Sequence, residues 1–166
     1  MPHASQPNCR GFEAQCRLLY VGSDLGLLKS LRTTFGEPKY HIVSCPDRLS
    51  AEMFIKSQIQ YQLFIFDHEM RDRAAFDLAL LLRSLDHRQN LPAIVVGAEV
   101  EGALQEFTRA SGGNDYVVKA DHFAAVHRVV KRLLKDSVRE SARNGSGTAS
   151  CSDTGSEPVP TGRRGG

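Results

Sequence analysis

No two cysteines in this chain stand at metal-binding or redox spacing. Cys9, Cys16, Cys45 and Cys151 are scattered along 166 residues, and no CxxC pair occurs. That excludes a disulfide framework and a zinc site, and it suits a reducing cytoplasm, where the protein is expected to reside. Charge of one sign is lacking too, with 21 Lys and Arg against 19 Asp and Glu. No large field is therefore directed at nucleic acid or a membrane surface. Apolar runs are too short to span a bilayer, and the N-terminus lacks the basic patch and continuous apolar core of a signal peptide. Both phosphate-loop fingerprints, G-x-G-x-x-G and G-x-x-x-x-G-K-[ST], are absent.

What remains fits one domain with two tails. Residues 1–15 are polar and aperiodic with two prolines, and read as a disordered leader. Gly, Ser, Thr and Pro supply sixteen of the twenty-six residues from Ser141 onward. Such composition cannot offset its ordering entropy, so residues 139–166 are expected to form a disordered tail behind a domain at 16–138.

Inside that domain, short apolar strands alternate with amphipathic stretches. Arg17 to Val21 and Tyr40 to Ser44 read as the first two strands, and Leu63-Phe64-Ile65-Phe66 ends in Asp67 as the third. Leu91 to Gly97 and Asn114 to Val118 read as the fourth and fifth, the last followed by Lys119. Helical spacing between them predicts buried stripes. These carry Leu27, Leu28, Leu31 and Phe35, then Leu49, Met53 and Phe54, then Phe76, Ala79 and Leu80. Val100, Leu104 and Phe107 mark a fourth helix with a mostly core-facing apolar surface, and Phe123, Val126, Val130, Leu133 and Leu134 mark a fifth. Strands apolar on both faces belong in a parallel sheet covered on both sides. Five strand-helix repeats imply an α/β, flavodoxin-like (βα)5 fold with strand order 2-1-3-4-5. Ligands of such sheets bind at the carboxyl edge, where this order brings Gly22-Ser23-Asp24, Asp67, Gly97 and Lys119 together.

The motifs there resemble the receiver domain of two-component response regulators, of the chemotaxis-regulator type. Asp67 closes the third strand with Met70 three positions on. Phe76-Asp77-Leu78 opens the next helix, and Ser111 to Lys119 resembles the family's "xGAxDYxxK" stretch. The resemblance implies that Asp67 is the phosphoacceptor and Lys119 its charge partner. It also implies a Mg²⁺ site formed by Asp67 and the Glu69 backbone carbonyl, with Asp24 as a further ligand, and Tyr116 as a switch residue. Several positions depart from the pattern. Gly22 and Ser23 stand where two adjacent acids are expected, and Gly97 replaces the hydroxyl residue that would grip a phosphoryl oxygen. Ala120 replaces a proline, so the Lys119–Ala120 peptide is expected to be trans with a shifted loop. The Glu69 side chain is expected to be a solvated loop carboxylate.

The expected function is thus an atypical, stand-alone receiver-like module in two-component (phosphorelay) signal transduction, not an enzyme. Its depleted acidic pocket points to phosphorylation-independent protein contacts, with Mg²⁺ as a weak cofactor at most. Expected partners are a histidine kinase, a phosphotransfer protein or a downstream effector, with homodimerisation through the face of helix four, strand five and helix five. Membrane and nucleic acid are not expected partners, since the basic last helix comes without a recognition motif. Two alternatives stay open: a small flavin- or nucleotide-binding protein on the same fold, and a pure interaction scaffold.

Overall fold

The computed structural model describes residues 16–99 and 102–144. Its strands are β1 (Cys16–Val21), β2 (Tyr40–Cys45), β3 (Leu63–Asp67), β4 (Ala93–Gly97) and β5 (Asp115–Val118). Between and after them lie α1 (Leu25–Thr34), α2 (Arg48–Lys56), α3 (Ala75–Ser84), α4 (Gly102–Ala110) and α5 (Ala124–Asn144). Every strand pairing is parallel, in the order β2-β1-β3-β4-β5. Every residue of β3 and of β4 is buried, which is why these two read as unbroken apolar runs.

Alternation along each strand divides the core in two. Leu19, Val21, Phe64, Phe66 and Val95 pack with Ala51 and Ile55 of α2 and with Leu78 and Leu82 of α3. On the other face Leu18, Tyr20, Ile65, Ile94 and Val96 pack with Leu27 and Leu31 of α1 and with Val126 and Val130 of α5. Each fully buried aliphatic or aromatic side chain contributes roughly 1.5–3 kcal/mol of transfer free energy, so the two layers carry the fold. Two aspartates start helices: Asp24 accepts from the Leu27 N–H at 3.0 Å, and Asp47 from the Ser50 N–H at 2.8 Å.

Several expectations are corrected. Leu49 and Met53 are 76% and 74% exposed, whereas Ala51 and Ile55 of the same helix are buried. Two positions are about 200° around a helix, so a stripe through 51 and 55 turns 49 and 53 to solvent. Leu80 is likewise exposed, standing two positions from buried Leu78 and Leu82. On α4 Phe107 is exposed and Leu104 half-buried, while Thr108 is the buried residue. Val100 lies outside the described residues, as do the leader at 1–15 and the tail at 145–166. Helix α5 continues to Asn144, past the boundary expected at Val138. The Lys119–Ala120 peptide is trans, and the loop after it is unusual. Asp121, His122 and Phe123 take φ values of 51°, 52° and 66°, a left-handed turn that costs roughly 1–2 kcal/mol per non-glycine residue.

Candidate functional site

Parallel pairing sets the carboxyl ends of β1, β3, β4 and β5 side by side. The His68 N–H donates to the Val96 carbonyl at 2.8 Å, and the Lys119 N–H to the Gly97 carbonyl at 2.8 Å. These bonds hold the first residues beyond β3 and β5 in line with β4, and so fix where Asp67 and Lys119 project.

Lys119 is the centre of the site. Its Nζ donates to Asp67 Oδ2 at 3.0 Å, to Asp24 Oδ2 at 3.2 Å and to Glu69 Oε2 at 2.7 Å. An ammonium has three N–H groups, so this one has a carboxylate for each. The Lys119 side chain is only 7% exposed. Burial disfavours its charge, but the hydrogen bonds it donates to Glu69 and Asp67 outweigh that and raise its pKa above the ordinary lysine range. Burial likewise opposes ionisation of Asp24. The Leu27 N–H and the Lys119 ammonium overcome it and hold that carboxyl below its usual range. Asp24 therefore caps α1 with one oxygen and pairs with Lys119 through the other. Glu69, expected in solvent, instead bridges to the ammonium, although about half of its side chain stays exposed.

Asp67 is 2% exposed. Its Oδ1 accepts the Glu69 N–H at 3.0 Å, and its Oδ2 accepts both Lys119 and the Tyr20 hydroxyl, the latter at 3.1 Å. The Tyr20 hydroxyl in turn accepts the Asp24 N–H at 3.2 Å. Burial and the adjacent Asp67 charge push the Tyr20 phenol pKa upward, so it remains a protonated donor.

Tyr20 is the functional residue that reading the sequence missed. It stands two positions before Gly22 on the same side of β1, and the glycine makes its position possible. A Cβ at Gly22 would lie 2.6 Å from the Tyr20 Oη and 2.6 Å from the Asp67 Cβ. The phenol thus occupies the space beside Asp67 that a side chain at 22 would enter. The same device recurs on β4, where a Cβ at Gly97 would overlap the hydroxyl of Tyr116. Tyr116 is buried, with its ring 6.3 Å from that of His68 in an edge-on contact. His68 turns away from Asp67, as alternation on an extended strand requires, and packs on Phe76 at 5.2 Å. Ser23 is exposed. His122 lies exposed in the left-handed turn, and His127 bridges α5 to α1 through Ser30 at 2.9 Å.

The donor set does not fit Mg²⁺. That ion takes an octahedral shell of oxygens with several waters. Here the carboxylates of Asp24, Asp67 and Glu69 converge on an ammonium, and a phenol fills the space beside them. Among the described residues no group of three or more His, Cys, Asp or Glu is arranged to hold a metal ion. None of the described helices is long and apolar enough to cross a membrane.

No protein-family description and no curated protein matches the chain, but solved structures match its fold. A CheY-like response regulator receiver domain protein from Methanospirillum hungatei JF-1 is 18% identical with a TM-score of 0.66, over 76% of this chain and 99% of that one. The receiver domain of the Francisella response regulator 1452 is 21% identical with a TM-score of 0.62, over 74% and 98%. The phosphorylated cyanobacterial phytochrome response regulator RcpA is 11% identical with a TM-score of 0.65, over 76% and 96%. The chain has the receiver fold.

Proposed function

We propose that this chain is a receiver-like module of two-component signalling that acts through protein contacts, with Asp67 held in an internal ion cluster. The reading rests on the engagement of Asp67 itself. A phosphoacceptor carboxylate needs an approachable oxygen, and Asp67 is 2% exposed with hydrogen bonds occupying three of its roughly four acceptor sites, which crowds the path of an incoming phosphoryl group. Charge argues the same way. Three carboxylates around one ammonium leave a formal charge of about −2, which repels a phosphoryl group where no divalent cation neutralises it.

The partner would be a histidine kinase, a phosphotransfer protein or a downstream effector docked across α4, β5 and α5, the face that would also serve a homodimer. Neither contact requires catalysis by this chain. A flavin or nucleotide reading gains nothing from the geometry, because the turn after β1 faces the carboxylates of Asp24 and Asp67. Incubation with acetyl phosphate and millimolar Mg²⁺, followed by intact-protein mass spectrometry, tests the proposal. We expect no stoichiometric adduct. Full phosphorylation that disappears in Asp67→Asn overturns the reading.

A further inference from the structure

A cleft lies between the β3–α3 connection, residues Ala98 and Glu99, and α4, beside the ion cluster. Its volume is about 600 Å³, within the range that accommodates small molecules. Aromatic rings line it in series: Tyr116, His68, Phe76 and Phe107, with successive centroids 6.3, 5.2 and 6.0 Å apart. Tyr116 is buried at one end of the series, and Phe107 is 60% exposed at the other. The His68 Nδ1 is shielded from solvent and has no hydrogen-bond partner among the described residues. Buried polar atoms are ordinarily satisfied, so this one marks a place for a ligand group.

The charges at the cleft complete the pattern. Glu69 lines it too, but its charge is committed to Lys119. The Arg73 guanidinium and the Glu99 carboxylate have no ion pair among the described residues. Arg73 is also held at a φ of 49°, in the left-handed region. Among the described residues, Arg73 thus offers a cation to an anion and Glu99 an acceptor to a hydrogen-bond donor, beside an aromatic wall with an uncovered end.

We infer that this cleft binds a small planar aromatic molecule carrying an acidic group and a ring N–H or hydroxyl. The ring packs against the exposed face of Phe107 with its edge toward Phe76, the acid pairs with Arg73, and the donor is taken by Glu99. This site is independent of whether Asp67 accepts phosphate.

The chain contains no tryptophan, so indole-3-acetate can be titrated by its own fluorescence anisotropy against the full-length protein. We expect saturable binding of one molecule per chain. Phe107→Ala, a surface change that spares the core, should weaken it roughly tenfold. Arg73→Gln should weaken indole-3-acetate and leave unsubstituted indole unchanged. The double variant Leu49→Ser, Met53→Ser, which removes the exposed apolar pair of α2, should bind as the parent does. Absence of saturation, full affinity in Phe107→Ala, or loss of binding in the α2 variant overturns the site. Equal affinity for indole and indole-3-acetate overturns the acidic group.

Discussion

At the scale of single residues, two glycines and two tyrosines explain the site better than its charges do. Tyr20 reaches Asp67 because position 22 has no side chain, and Tyr116 fills the end of β4 because position 97 has none. Removing the Tyr20 hydroxyl strips a charged acceptor of one bond and leaves the Asp24 N–H unpaired. Tyr20→Phe should therefore cost about 1.5–3 kcal/mol in urea denaturation. Gly97→Ala should cost roughly 1–3 kcal/mol by overpacking, and expel the Tyr116 ring so that tetranitromethane nitrates it. The closest collision is with the hydroxyl, with the Tyr116 Cζ at 2.9 Å behind it, so the double variant Gly97→Ala, Tyr116→Phe should recover part of the loss. No such rescue is expected for Gly22→Ala with Tyr20→Phe, because the Asp67 Cβ blocks position 22 as well. The sequence made Asp67 and Lys119 visible because each ends an apolar run. It hid Tyr20, since an aromatic within a strand is ordinary, and it hid the Glu69 bridge, since a loop carboxylate carries no periodic signal.

At the scale of elements, a buried arginine holds the end of α2. Arg88 is almost wholly enclosed, and its guanidinium donates to the carbonyls of Ile55, Ser57 and Ile59 at 3.2, 2.8 and 2.5 Å. It also lies over the rings of Tyr61 and Phe64, at 5.4 and 5.8 Å. The last carbonyls of a helix have no partners of their own and carry partial negative charge, so a cation with a planar fork of donors suits them. Burial pushes the Arg88 pKa down from its usual value, as expected for a cation with dipoles and ring faces around it instead of a carboxylate. Arg88→Met keeps much of the volume but leaves three carbonyls unsatisfied. We expect a loss of about 3 kcal/mol or more in denaturant midpoint experiments. Strands were the legible elements, because burial on both faces leaves an uninterrupted apolar signature. The helices on the α2–α4 side were less so, since exposed Leu49, Met53, Leu80 and Phe107 break the rule that large apolar residues mark the inner stripe.

At the scale of the whole molecule, the doubly covered sheet followed from the alternation of strand and helix alone, and the order of the strands from the chain's length. The reach of α5 to Asn144 did not, because composition changes only beyond it. Stability against pH is a property of the assembled fold. The Asp24 carboxyl titrates below its usual range when folded, so its contribution is complete above about pH 4 and fades as acid carries the pH through the lower folded value. His127, between α1 and α5, is shifted down by burial and by Lys131, so protonating it opposes folding. Its share is complete above about pH 6.5 and falls as the pH drops below that. Lys119 is shifted the other way, so its share is complete below the ordinary lysine value and is lost as alkali carries the pH from there through the raised folded value. Thermal midpoints from pH 4 to 9 should be flat above neutrality and decline on the acid side, and His127→Gln should abolish the decline between pH 6.5 and 5. The paired tyrosines and glycines also limit which substitutions the site tolerates. A side chain at 97 needs Tyr116 to move aside first, and one at 22 meets the Asp67 Cβ as well as the Tyr20 phenol, so neither glycine is replaced without rearranging its neighbours. Anyone refitting this pocket must therefore exchange the surrounding side chains together with the glycine, because a lone substitution at either position has nowhere to go.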